Sequence, residues 1–117
     1  MNIMIDFDQI LLNIGKEYNV RRFSMDYAQI EFDILFDGYN YIFIGVLYEN
    51  GEVILTDFAD YTPLCDWSDE EVPNVERICE KYGITFRNFH IECQYHSNDD
   101  IKNYIDCLLA LKEKYIK

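Results

Sequence analysis

His90, Cys93 and His96 have the side chains that bind zinc, and Cys65 or Cys79 has the thiol to complete a tetrahedral set. Spacing works against such a site. On a strand His90 and His96 point one way and Cys93 the other, and no Cys-x-x-Cys pair is present. The same residues offer a Cys/His nucleophile pair, set against the commoner role of a free cysteine as a small buried hydrophobe. Glu31, Asp33 and Asp57 offer a third chemistry, a hard divalent cation held by carboxylates. A nuclease of that kind would also want a lysine to stabilise the attacked phosphate, and the segment carrying these acids contains none. Gly-rich phosphate loops and Gly-x-Ser-x-Gly elbows are absent. No catalytic residue and no cofactor is expected, and a metal-dependent enzyme ranks behind the binding readings.

Acidity is regional. The 117 residues carry 22 Asp plus Glu against 10 Lys plus Arg, a formal charge of -12. Residues 1–24 balance to zero and residues 77–117 carry +1. Between them, residues 25–76 hold thirteen acids and no base, for -13. Surfaces normally mix signs because unpaired like charges repel, so a stretch of this length is either a device for solubility or a surface meant for a cationic partner. The balance argues against direct binding to nucleic acid or anionic lipid, whose phosphates are neutralised by Lys and Arg. Half the residues are hydrophobic and 16% aromatic, which argues against a disordered chain and for one domain spanning residues 1–117.

Asp66-Trp67-Ser68-Asp69-Glu70-Glu71 sets the only tryptophan among four acids. One reading is structural: acids favour the positive end of the helix that follows, and Ser68 with Glu71 matches a capping box. The other is a hot-spot anchor inside a charged rim, with Tyr61 close by in sequence, facing a basic protein surface.

The elements that would position these residues can be read from periodicity. Phe7, Ile10, Leu11, Ile14 and Tyr18 form a helical stripe with Asp6 or Asp8 as cap. Ala28 to Phe36 alternates as a half-buried strand, preceded by a candidate strand from Val20 to about Tyr27. Asp37-Gly38 and Asn50-Gly51 then punctuate two hairpins, giving a three-stranded antiparallel meander through Phe58. Pro73 opens a short helix striped by Val72, Val75, Ile78, Cys79 and Tyr82, with Gly83 beyond its end. Ile84 to Tyr95 reads as one or two strands. Ser97 caps a last helix with Ile101, Tyr104, Ile105, Leu108 and Leu111 on one face and lysines at its end. The fold class is α+β, an antiparallel β-meander sheet packed against N-terminal, middle and C-terminal helices.

Two-residue turns would pair Phe36 with Tyr39 and Phe32 with Phe43, then Tyr48 with Val53 and Val46 with Leu55. One face would then hold Ile30, Phe32, Ile34, Phe36, Tyr41, Phe43, Leu47, Ile54 and Phe58 as core. The other would carry an apolar ridge of Ile42, Ile44 and Val46, with Glu31 and Asp57 as the cross-strand neighbours of Ile44.

Val53-Ile54-Leu55-Thr56-Asp57, then Tyr61-Thr62 and Leu64, then the helix ending Lys81-Tyr82-Gly83-Ile84, resembles a bacterial and phage family, domain of unknown function 1828, over residues 28–95. The resemblance implies a meander whose last strand ends in Leu-Thr-Asp, followed by two helices, and a setting in phages and mobile elements. It implies no activity and no catalytic residue. Where the family has Asp-x-Gly after the strand, this chain has Asp57-Phe58-Ala59-Asp60.

The four cysteines, 14 residues apart, sit in segments that share no pattern, so they mark no repeat. The N-terminus lacks a basic signal-peptide region and no apolar run approaches the roughly 20 residues of a spanning helix, so the expected location is the cytoplasm of a bacterial host, with reduced thiols. The leading expectation is a non-enzymatic acidic protein from a phage or mobile element. It would occupy a basic nucleic-acid-binding groove of a host defence nuclease, as an anti-CRISPR or anti-restriction inhibitor does, through Glu31, Asp33, Asp57, Asp60, Asp66, Trp67, Asp69, Glu70 and Glu71. The alternative is a regulatory or scaffolding module that binds a peptide or subunit by its apolar strip. Oligomeric state is open, with a dimer among the options.

Overall fold

Asp6 starts the first helix, because its carboxylate accepts the otherwise unpaired main-chain N–H groups of Asp8 (3.0 Å) and Gln9 (3.4 Å). The helix, α1, runs Phe7–Gly15 in the computed structural model, which describes residues 6–57 and 69–116. Six strands follow: β1 (Asn19–Arg22), β2 (Tyr27–Leu35), β3 (Tyr41–Glu49), β4 (Glu52–Thr56), β5 (Thr85–Arg87) and β6 (His90–Gln94). Two more helices, α2 (Val72–Lys81) and α3 (Asn98–Tyr115), flank the last pair of strands in sequence. All strands pair antiparallel, in the order β1-β2-β3-β4-β6-β5. The fold is α+β, with the sheet packed against three helices among the described residues, as the periodicity predicts.

The helical stripes behave as read. Phe7, Leu11 and Ile14 of α1, Val75 and Cys79 of α2, and Ile101, Tyr104, Leu108 and Leu111 of α3 are buried, and Cys107 joins them. Ser97 and Asp100 form the expected capping box of α3. The capping box read from Ser68 and Glu71 is corrected: Glu71 is itself the N-cap of α2 and makes no side-chain capping bond. Its carboxylate turns instead to the Tyr115 hydroxyl (2.8 Å) and the Asn74 amide (3.2 Å), joining the start of α2 to the end of α3.

The second hairpin has the expected register, with Tyr48 opposite Val53 and Val46 opposite Leu55 around Asn50-Gly51, both at positive φ. The first hairpin does not. Leu35 pairs with Tyr41, leaving residues 36–40 as the loop, and the Asp37 carboxylate accepts the N–H groups of Tyr39 (2.9 Å) and Asn40 (2.8 Å). Below it a bulge sets residues 32–34 against Ile42 alone, and Glu31 then pairs with Phe43 while Ile30 pairs with Ile44. A one-residue slip from the expected register exchanges the faces of β3. Ile42, Ile44 and Val46 lie in the core with Ala28, Ile30, Val53, Leu55 and Ile91, whereas Tyr41, Phe43 and Leu47 take the second face. The ridge assigned to the second face is therefore the middle of the core. Phe58 lies outside the described residues.

β6 has an unusual neighbour. Its pairing with β4 stops at Thr56 opposite Glu92, one residue short of Ile91. Asp57, fully buried, accepts the Ile91 N–H through its carboxylate (2.9 Å), and the Tyr104 hydroxyl of α3 donates to the Ile91 carbonyl (2.5 Å). Two side chains thus complete the ladder where the strand has ended, so no buried main-chain group at Ile91 is left unpaired.

Candidate binding surface

The nine residues singled out from sequence separate into four groups. Glu31 is half-buried on the second face of the sheet and Asp33 is exposed in the β2 bulge. Asp69 and Glu70 are exposed just ahead of α2. Asp57 is corrected, being 0% exposed beneath the helices, while Glu71 is half-buried with its carboxylate engaged by Tyr115 and Asn74. Asp57 presents no surface to a partner, and it does not share a face with Glu31. Asp60, Asp66 and Trp67 lie outside the described residues.

The last turns of α3 reach two separate segments. Lys112 donates to the Leu35 carbonyl at the top of the β2–β3 hairpin (2.5 Å), and Tyr115, on the same helical face, donates to Glu71. The end of α3 thus touches both the β2–β3 hairpin, through Leu35, and the start of α2, through Glu71. Glu49 and Glu52 sit at the other end of β3 from that hairpin, in the β3–β4 turn.

An open hollow of about 520 Å³ is lined by Asn19, Gln29, Glu31, Asp33, Tyr41 and Phe43 among others, with no cation among its lining residues. The bulge builds it, since the extra length of β2 lifts Asp33 away from the ladder beside Tyr41. Around it the hairpin exposes Ile34, Leu35, Tyr39 and Tyr41. Sequence reading assigned Ile34 and Tyr41 to the core and paired Tyr39 with Phe36 across a two-residue turn. The signal that could have found the exposed tip is Asp37 followed by Asn40, a side-chain-capped loop longer than two residues.

Hydrogen bonding stabilises the charged forms of the Glu71 and Asp37 carboxylates. The Tyr115 hydroxyl, then the Asn74 amide, keep the Glu71 carboxyl below its ordinary value, and the Tyr39 and Asn40 N–H groups do the same for Asp37. A carboxyl whose folded pKa is depressed adds stability above its unfolded pKa and loses it as pH falls through the folded one. Tyr115→Phe is expected to return the Glu71 carboxyl upward toward the ordinary carboxylate range in a carboxyl-carbon NMR titration; an unmoved Glu71 resonance would show the bond to be dispensable.

No family model, curated protein or solved structure matches this chain. Function rests on the geometry, and among the described residues those read as metal ligands or nucleophiles do not assemble; Cys65 lies outside the described residues. His90 and Cys93 fall on opposite faces of β6, while His96 is exposed beside Asp100, 3.7 Å away. Among the described residues no three His, Cys, Asp or Glu side chains gather in a way that could hold a metal ion. Burial pushes the Cys93 thiol up to about 12, and Cys107, 3.6 Å from Cys79 in the core, is raised by that hydrogen bond and by burial. At neutral pH both remain protonated, the unreactive form of a thiol. No helix among the described residues is long and apolar enough to cross a membrane.

Proposed function

We propose that this protein is a non-enzymatic binding module whose acidic surface occupies a basic, nucleic-acid-binding groove of another protein. Its concrete form is an inhibitor from a phage or mobile element directed at a host defence nuclease, of the anti-CRISPR or anti-restriction kind, acting in the cytoplasm. The carrying observation is that Glu31 and Asp33 line a hollow that no cation lines. Asp69 and Glu70, exposed just ahead of α2, are the second pair of carboxylates assigned to the partner. The resemblance to domain of unknown function 1828 is consistent with a phage or mobile-element setting.

Glu31→Gln, Asp33→Asn, Asp69→Asn and Glu70→Gln combined are expected to abolish inhibition of the target nuclease, because all four carboxylates are outside the core. In the unmodified protein, binding is expected to weaken at least about tenfold between about 50 and about 300 mM salt. Inhibition by the fourfold variant at the level of the unmodified protein, or binding indifferent to salt, sinks the proposal. A second reading, a regulatory or scaffolding module that binds through apolar contacts, is favoured by the exposed Ile34, Leu35, Tyr39 and Tyr41. It expects salt-insensitive binding lost on Tyr39→Ala with Tyr41→Ala.

A further inference from the structure

Four of the eight large hydrophobic residues exposed among the described residues fall between Ile34 and Tyr41, with Tyr39 92% and Tyr41 58% exposed. Exposed aromatics at this density on a short arm mark a contact surface. The arm is also held in shape. Phe36 anchors it in the core, and its N–H donates to the Asn40 carbonyl (2.7 Å). Asp37 takes two main-chain N–H groups and the Asn40 amide (2.8 Å), while Lys112 grips Leu35 from α3. Ordering such a loop beforehand removes most of the entropy that binding would otherwise cost.

Charge complementarity identifies what this rigid arm accepts. Glu31 and Asp33 stand beside Tyr41 in the hollow, which no cation lines, so the group that enters is positive. An ammonium and a guanidinium differ in what they use there. Lysine brings a strongly hydrated point charge that any acidic surface attracts, whereas arginine is planar, weakly hydrated, stacks on an aromatic face and keeps its edge N–H groups for carboxylates. An aromatic ring flanked by carboxylates serves the second better than the first. Resting on the acidic-surface reading above, we infer that the hollow beside Tyr41 receives an arginine side chain of the partner, stacked on the Tyr41 ring and hydrogen-bonded at its edge by Glu31 and Asp33. The partner is therefore an arginine-presenting protein surface.

Oligo-arginine and oligo-lysine peptides of equal length test this by calorimetric titration at low salt, with the site mapped by NMR. Oligo-arginine is expected to bind about tenfold more tightly, shifting the resonances of Glu31, Asp33 and Tyr41. Tyr41→Leu, at an exposed position, is expected to erase that preference by lowering oligo-arginine affinity to the level of oligo-lysine. Glu31→Gln with Asp33→Asn is expected to weaken both peptides. Equal affinity for the two peptides, a preference that survives Tyr41→Leu, or shifts confined to another surface overturns the arginine assignment and leaves the acidic-surface reading standing. Failure of both peptides to bind overturns both readings.

Discussion

Ile44→Asp is expected to leave no folded protein. Ile44 is 0% exposed and stands opposite Ile30 at the centre of the sheet, beneath the helices. Removing a fully buried isoleucine side chain costs about 2–5 kcal/mol through lost burial and the cavity left behind. Placing an unpaired carboxylate there costs several more, unless it takes up a proton. Together these come to about 5–10 kcal/mol, comparable with the roughly 5–15 kcal/mol that holds a domain of this size folded. Far-UV circular dichroism and thermal melting would show loss of the cooperative transition. Tyr41→Asp, three residues earlier in β3 and on the other face, is the control: an exposed site should change stability by no more than about 1 kcal/mol. If the two variants melt alike, the register of the first hairpin is wrong. The same placement means that Ile44→Asp cannot serve to probe binding, because the apolar ridge of Ile42, Ile44 and Val46 is the core.

Asp57→Ala carries the second large effect. The carboxylate stands in for a strand at Ile91, and alanine would leave the Ile91 N–H without that acceptor in a fully buried site. Hydrogen bonds to charged groups contribute about 1.5–3 kcal/mol, and an unsatisfied buried donor costs about 1–3 kcal/mol. A loss of about 2–4 kcal/mol is expected, read as a lower urea midpoint with an unchanged slope. Asp57→Asn keeps an acceptor oxygen of the same reach and is expected to recover about half of the loss. Equal destabilisation by both substitutions would mean that the negative charge, and not the acceptor, is what the site requires. Either way Asp57 belongs to stability: a variant that still folds should keep whatever binding the tip provides.

How far these placements were legible in the sequence depends on whether a local rule had a competitor. Asn50-Gly51 had none, since both residues take the positive φ that a two-residue turn needs, and the register of β3 with β4 followed. Helical stripes were equally plain, because only one face of α1 or α3 is continuously apolar. Asp37-Gly38 looked like the same signal as Asn50-Gly51. There the aspartate side chain competes with the main chain for the N–H groups of Tyr39 and Asn40, and a longer loop wins. Nothing in the alternation of β2 discloses the bulge, because Ile30, Phe32, Ile34 and Phe36 remain apolar in either register. The candidate surface inherited that ambiguity. Glu31 and Asp33 were found by residue type, Asp57 was misplaced because a buried acid and an exposed one look identical in sequence, and Tyr39 and Tyr41 became visible as contact residues only once the loop was known.

The bulge in β2 also decides what a change of length would do to this arm. Between Glu31 and Leu35 the strand has three residues where β3 has Ile42 alone, an excess of two. Two is even, so the ladder leaves the irregularity in the phase in which it entered: Glu31 and Leu35 point to the same side, as do Phe43 and Tyr41. An even excess is a spacer, and an arm lengthened or shortened by pairs of residues would keep its inside in and its outside out. An odd one is an inverter, turning either the tip or the body of the sheet over. How far this arm reaches is thus separable from which way its tyrosines look, so its length is free to be matched to the depth of a groove.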